Sequence, residues 1–432
     1  MILELDNINF EESSISDPGG KIFIYENKIL RLISNDFQEN FRNILNLKNL
    51  NYLFDLGLVE TRVSNYSIKG FPLVLEHKRV PFISYCSEWL IGMLRDSLIM
   101  VCNLSIELAK YGYMIIDIHP GNILFEKYNP IFIDFTSIVP INKKNEIPYS
   151  GLRKFFILPL WLSSLGLNTL SEYSMKEYPK GVIGDISDKR FLKKLPIKYL
   201  MIVRNYIKER NYSHQKSIIK FYENLKTFVE SLKLKIPKGQ WENYPQKNSK
   251  KNEIVNNILK NLQQGTLLDV ACNKGYFSFL ANDLGNKVVS FDYEEAVLLD
   301  LYRKIKKENK DILPLKINFL YPAPSFGKGL VYKSSFERLK CDTTLVISLI
   351  HHLVFKQEVN FEIISKIINN YTVKNSIVEF IPSDDVEVSR WGIERYSWYK
   401  IDNFIKSMQK YFNEYEVVNS SPLPRKLIIF KK

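Results

Sequence analysis

"LLDVACNKGYFSFLANDLGNKVVSFDYEE", residues 267–295, decides how the second half of the chain is read. An apolar run, Leu267-Leu268, reaches Asp269. A short turn carries one glycine, Gly275, an amphipathic stretch follows, and a second apolar run ends in Asp292. Short apolar runs bounded by turns predict strands, and helical apolar spacing between them predicts a helix. In an open sheet built from such units, ligands bind beyond the carboxyl ends of the strands. Glycine is favoured in the first turn because a ligand must approach the backbone there, and Gly275 meets that need at the helix start. A carboxylate ending the second strand, Asp292, can accept hydrogen bonds from both hydroxyls of a ribose. The G-x-G-x-x-G spacing that seats a pyrophosphate on a helix N-terminus is absent. The turn therefore suits a cofactor with a ribose and no pyrophosphate.

The same grammar continues outward. Strands are predicted over 266–270, 287–291, 312–318, 343–350, 375–380, 415–419 and 425–430, and helices over 275–284, 294–307, 358–370 and 402–412. Alternation of this kind predicts an α/β domain with a mainly parallel, doubly wound sheet. Ahead of it, "LKIPKGQWENYPQKNSKKN" is polar, carries two prolines and a glycine, and reads as a linker. The expected organisation is a first domain over 1–235, a linker over 236–252 and a second domain over 253–432.

The quoted stretch resembles the first motif of class I S-adenosylmethionine (SAM)-dependent methyltransferases, an acid followed by alternating glycines. Ala271 and Asn273 stand where the first two glycines would be, and Gly275 matches the third. "ILPLKINFLYPAP", "TTLVISLIHHLVF" and "SIVEFIP" resemble the third, fourth and fifth strands of that family. The resemblance implies a seven-stranded Rossmann-like domain that binds SAM. Its cofactor site would comprise Asp269, Ala271, Asn273, Gly275, Asp292, Tyr293, Asn318, Phe319 and Ser348, with Trp241 and Tyr244 as a lid.

Methyl transfer is an in-line displacement, so the enzyme mainly supplies orientation and proximity. An alcohol acceptor also needs a general base, and histidine is the usual one. His351 and His352 fall at the end of the fourth predicted strand. Neighbouring strand residues point to opposite faces, so one of the two is expected to face the cleft. The segment "PSDDVEVSRWGIERYSWYK" follows the fifth strand. There Trp391 or Trp398 can stack on a sugar ring, and Arg390 or Arg395 can pair with an anion.

The first half reads differently. Residues 20–33 alternate like a hairpin with a turn at Glu26-Asn27, residues 36–56 and 87–111 have helical spacing, 71–85 is strand-like, and 151–235 is mostly helical. Strands first and helices later predict an α+β unit. "IIDIHPGNILF" and "IFIDF" place Asp117, Asn122 and Asp134 at steps of five and twelve. This resembles aminoglycoside phosphotransferases and related small-molecule kinases. The resemblance implies that Asp117 positions an acceptor hydroxyl and that Asn122 and Asp134 hold magnesium on the phosphates of ATP. Upstream, "SDPGGKIFIY" is not a full phosphate loop. Arg31 or Lys28 stands where an ATP-binding lysine belongs, and arginine does not simply replace lysine there. The expectation is weak or absent Mg-ATP binding.

The totals bound the rest. The chain has 432 residues, 45% apolar and 13% aromatic, with a formal charge of +13. The lysines are dispersed and no nucleic-acid motif is present, so nucleic acid is not an expected partner. The apolar run 155–170 is shorter than the roughly 20 residues of a membrane span. It reads as a buried helix or helix pair, with peripheral membrane contact as the alternative. Cys86, Cys102, Cys272 and Cys341 have neither metal nor disulfide spacing. With an acidic N-terminus that lacks a signal pattern, they predict a cytoplasmic protein. The two halves together resemble bacterial nodulation-associated and surface-polysaccharide-modifying methyltransferases, which implies a glycan or sugar-derived small-molecule acceptor. One alternative is a bifunctional enzyme that phosphorylates a sugar and methylates the phosphate. Another is a non-catalytic scaffold.

Overall fold

The computed structural model describes residues 2–4, 8–14, 17–71, 73–142, 146–176, 214–242, 249–391 and 395–432. The chain divides into two units. One is Met1–Pro237 with Gly327–Tyr332, and the other is Lys238–Phe326 with Lys333–Lys432.

The first unit opens on an antiparallel sheet of β1 (Gly20–Tyr25), β2 (Lys28–Ile33), β3 (Thr61–Val63) and β4 (Val74–His77), in the order β1-β2-β4-β3. Glu26 and Asn27 both have positive φ, the two-residue turn that matches the twist of a hairpin. Phe23, Leu30, Leu32 and Val74 bury one face. The helical half centres on α1 (Ile91–Lys110), whose Leu94, Leu98, Val101 and Leu108 are fully buried. A second hairpin, β5 (Ile123–Glu126) and β6 (Asn129–Phe132), carries Asn122 and Asp134 just beyond its two outer ends. The apolar run 155–170 contains the buried α2 (Leu158–Leu165), which stops at Gly166 in a left-handed conformation, and Leu167 and Leu170 beyond it are exposed. The helix α3 (Gln215–Ser231) packs against α1. Among the described residues, no helix is long and apolar enough to cross a membrane.

The second unit follows a helix, α4 (Ser249–Lys260), with β7 (Thr266–Val270), α5 (Tyr276–Asp283), β8 (Lys287–Asp292), α6 (Glu295–Glu308) and β9 (Ile312–Lys316). Then come β10 (Cys341–Val346), α7 (Ile350–Gln357), α8 (Phe361–Tyr371), β11 (Thr372–Phe380), α9 (Ile401–Met408), β12 (Glu414–Asn419) and β13 (Lys426–Lys431). The sheet order is β9-β8-β7-β10-β11-β13-β12. The first five strands are parallel, and β13 runs antiparallel between β11 and β12. The strand order reverses at β7, between β8 and β10, which places the ligand crevice beyond the tips of these strands. Leu267, Leu268, Val289, Leu345 and Val346 are buried, as expected for parallel strands covered on both faces.

Boundaries depart from the sequence expectation at α4, which begins at Ser249 inside the linker expected over 236–252, and at β10. The strand expected over 343–350 ends at Val346, and both histidines lie on α7. The chain turns at Ser348, which takes φ 55°. The Glu379 carboxylate holds that turn, accepting from the Ser348 backbone N–H at 3.0 Å and its Oγ at 2.7 Å.

Candidate functional site

The turn between β7 and α5 keeps the backbone of a three-glycine loop without the glycines. Ala271, Asn273 and Gly275 have φ of 54°, 51° and 72°. Side chains resist this left-handed region, so the alternating glycines of the motif report a backbone need that Ala271 and Asn273 meet under mild strain. Asn273 offsets that strain with bonds glycine cannot make. Its Oδ1 accepts from Lys274 N at 2.7 Å, and its Nδ2 donates to the Trp241 carbonyl at 3.2 Å. Gly275 has a role the sequence reading missed. A Cβ there would collide with Leu301 of α6, so this glycine serves close packing inside the domain.

The two carboxylates differ. Asp269 is turned inward, 2% exposed, and accepts from Ser278 Oγ at 2.5 Å, which in turn meets Ser290 Oγ at 2.8 Å. Burial pushes its pKa up to about 7. Asp269, expected at the cofactor, ties α5 to β7 and β8 through these serines. Asp292 ends β8 at the strand tips and is itself buried, 7% exposed. Its Oδ2 accepts from Asn273 N at 3.0 Å and its Oδ1 from Glu294 N at 3.1 Å. A carboxylate has about four acceptor positions, so both oxygens keep capacity for hydroxyl donors. Burial raises the Asp292 pKa, opposed by the backbone N–H bond from Asn273.

A strap crosses beside this turn. Glu294 accepts from the backbone N–H of Gln240 at 2.5 Å and of Trp241 at 2.9 Å, and Trp241 Nε1 donates to Tyr293 OH at 2.8 Å. Tyr293 is about half exposed. Tyr244 lies outside the described residues. Asn318 is exposed, with its Oδ1 accepting from Leu320 N at 3.0 Å, and Phe319 is buried next to it.

His351 and His352 stand together on α7. Consecutive helical residues are about 100° apart rather than opposed, so both reach one aromatic cluster and the one-in, one-out expectation fails. Their rings are 4.2 Å apart. His351 is buried and stacks on Trp391 at 5.5 Å, with its Nδ1 unpartnered among the described residues. His352 meets Trp241 at 5.1 Å and Trp391 at 5.1 Å. The Lys356 ammonium lies 4.5 Å from the Trp391 ring centre. Burial pushes His351 down to about 2 and His352 to about 4, so both are neutral near pH 7. Trp391 is thus a wall of the histidine cluster. Arg390 is exposed. Arg395 pairs with Glu358 at 3.0 Å on the surface.

The sequence reading also missed the buried pair under Ser348. Glu379, 0% exposed, meets Lys251 Nζ at 2.8 Å and accepts from Ser420 Oγ at 3.1 Å. Its signal was an acid inside the apolar run "SIVEFI", a position that needs a partner.

In the first unit, Asp117, Asn122 and Asp134 come together as the spacing suggested. Asn122 Nδ2 donates to the Asp117 carbonyl at 3.1 Å and to Asp134 Oδ2 at 3.4 Å. The Asp117 side chain is exposed. Its Oδ2 lies 3.3 Å from His119 Nε2, and that hydrogen bond holds the carboxyl below its usual range. Asp134 Oδ1 accepts from Thr136 Oγ1 at 2.7 Å and faces Arg31 at 3.4 Å. Among the described residues, no group of three or more His, Cys, Asp or Glu side chains is arranged to hold a metal ion.

No family model matches the chain. It is similar to the nodulation protein NoeA of Rhizobium meliloti (strain 1021), with 24% identity across 95% of this chain and 93% of that protein. That likeness spans both units. Among solved structures it is similar to WbdD, with 13% identity over 44% of this chain and a TM-score of 0.34. The match spans about 42% of the WbdD chain. It is also similar to the methyltransferase domain of bacterial CtHen1, with 18% identity, 43% of this chain, 99% of that one and a TM-score of 0.32. The strand order, the single antiparallel insertion and the three left-handed residues after β7 make the second unit a Rossmann-like methyltransferase fold.

Proposed function

We propose that the second unit is an S-adenosylmethionine-dependent methyltransferase acting on an oxygen of a glycan, a sugar-derived compound or another small polar acceptor. One observation carries this reading. The β7–α5 turn holds three alternating left-handed residues and presents Asp292 at the strand tips with acceptor capacity to spare. Those residues fit a ribose. Asp292 would take its hydroxyls, the 271–275 backbone would lie against the amino-acid end, and Tyr293, Asn318 and Phe319 would border the adenine. The bound cofactor would supply an electrophilic methyl carbon on a sulfonium. The chain's own part is orientation: the strap at 240–241 and the Trp391 wall close on His352, which would take the acceptor's proton at a ring nitrogen.

The glycan-related acceptor rests on the resemblance to nodulation-associated and polysaccharide-modifying methyltransferases, and the likeness to a nodulation protein across 95% of this chain accords with it; four buried free thiols support a cytoplasmic setting. SAM is expected to raise the melting temperature of the purified chain, by about 2.7 kcal/mol of stabilisation at a hundredfold excess over Kd. Asp292→Ala should abolish that shift. Unchanged melting of the parent chain at saturating SAM overturns the proposal.

A second reading differs only in the acceptor. Both histidines are poor bases in this setting, and the observed pair Lys356–Trp391 brings a cation to the cluster. These features favour an oxygen that is already anionic, such as a phosphate or carboxylate, which needs no base. With a hydroxyl acceptor, His352→Ala should cut kcat by about 10²–10⁴. With an anionic acceptor, kcat should hold.

A further inference from the structure

The kinase-like constellation implies a magnesium–nucleotide site, and the residues around Asp134 do not fit one. Three groups that such a site must leave free are already engaged. The first is the cation-binding carboxylate: Arg31 NH1 lies 3.4 Å from Asp134 Oδ1 and 2.8 Å from Asp17 Oδ2. Arg31 is 4% exposed, and it also bonds Thr136. The second is the backbone donor of the short glycine loop: Gly19 N donates to Asp17 Oδ1 at 2.8 Å, so the N–H that would take a phosphate oxygen is held by a carboxylate. The third is the space itself. A Cβ on Gly19 would fall 2.9 Å from Thr136 Cβ, and Thr136 Oγ1 lies 2.7 Å from Asp17 Oδ2, so the loop and the turn after Asp134 are in direct contact.

The charges tell the same story. A metal-bound triphosphate brings several negative charges and needs cations and free N–H groups to receive them. Here two carboxylates face the gap, and the single buried guanidinium between them is spent on both. Arginine is always charged and forks onto carboxylates, so Arg31 answers one of the two negative charges, and the charge of −1 that is left repels a triphosphate.

We propose that Arg31 is the resident cation of this site. Its guanidinium holds the place between Asp17 and Asp134 that a divalent metal would occupy, and the first unit therefore takes no Mg-nucleotide. Asp117 lies outside this lock, with its side chain exposed. The inference stands whether or not the second unit transfers methyl groups.

The test uses the full chain with Mn2+, followed by loss of its free-ion electron paramagnetic resonance signal, and with a fluorescent ATP analogue plus Mg2+. The parent chain should bind neither, even at millimolar nucleotide. Arg31→Met, which removes the charge and keeps the bulk, should gain one Mn2+ ion, and Arg31→Met/Asp134→Asn should lose it again. Arg31→Lys keeps a charge at the site, so it should fold and stay metal-free. Stoichiometric Mg-nucleotide binding by the parent chain that disappears in Asp134→Asn would overturn the proposal. So would a folded Arg31→Met chain that gains no ion. If Arg31→Met fails to fold, the parent and Arg31→Lys measurements still decide, since saturable Mn2+ or nucleotide binding by either, lost in Asp134→Asn, refutes the assignment.

Discussion

Asp292 and Asp134 hold matching places in the two units. Each closes a strand or follows one closely, each precedes an aromatic residue, and each was singled out as a ligand-binding acid. Their partners separate them. Asp292 is held by two backbone N–H groups, which fix its orientation and leave acceptor capacity on both oxygens. Asp134 is held by a threonine hydroxyl and faces a guanidinium that also binds Asp17. Backbone donors orient a carboxylate and keep it available. A buried cation consumes it. The chemistry of a motif acid thus depends on what already answers its charge, and that is set by residues far away in sequence: Arg31 is 103 positions from Asp134.

The contrast can be broken at its supports, and the largest effect is expected at Glu379. Stripping one partner from a buried ion pair costs about 3–5 kcal/mol, so Glu379→Ala should lower the unfolding free energy of the second unit by that amount, read from the shift of its urea midpoint. Lys251→Met with Glu379→Gln should cost less than the two single changes summed, as a double-mutant cycle would report.

Gly275→Ala comes next. The new methyl meets Leu301, and the backbone stays left-handed. Overpacking and φ strain together should cost roughly 2–4 kcal/mol. Leu301→Ala in the same chain should recover part of that loss. Full additivity in urea unfolding would show that the two sites do not meet.

A smaller effect sharpens the difference between the acids through pH. Asp269 has its pKa raised to about 7 by burial, so the folded chain favours its proton. That stabilisation is fully present below the unfolded carboxyl value of about 4 and is lost as pH rises through 7. Parent-minus-Asp269→Asn stability should therefore fall between about pH 4 and 7. A flat difference would mean that Asp269 titrates normally. The smallest effect is expected at Arg395→Ala. Its exposed pair with Glu358 should contribute about 0.2–1 kcal/mol. The change should also leave the SAM-dependent melting shift intact, because Arg395 meets Glu358 and Tyr396 on the surface.

Much of the second unit was legible in the sequence. Buried parallel strands read as short apolar runs and the helices between them as amphipathic segments, so β7, α5, β8 and α6 fall within a residue or two of expectation. The end of β10 was misplaced because "ISLIHHLVF" stays apolar across the strand end. What stops the strand is Glu379, an acid on a neighbouring strand. The lock in the first unit was half visible. Arg31 stood out as a wrong residue at a lysine position, but Asp17 and Thr136 had no motif to mark them.

The sequence by itself determined which segments of the second unit would form strands and helices, because these follow from local sterics and hydrophobic spacing. Only the tertiary structure decided that Asp269 faces inward, that the two histidines share one aromatic cluster, and that a guanidinium sits between Asp17 and Asp134. Those outcomes depend on which distant side chains arrive beside a charge once the chain is packed, and local pattern carries no information about them.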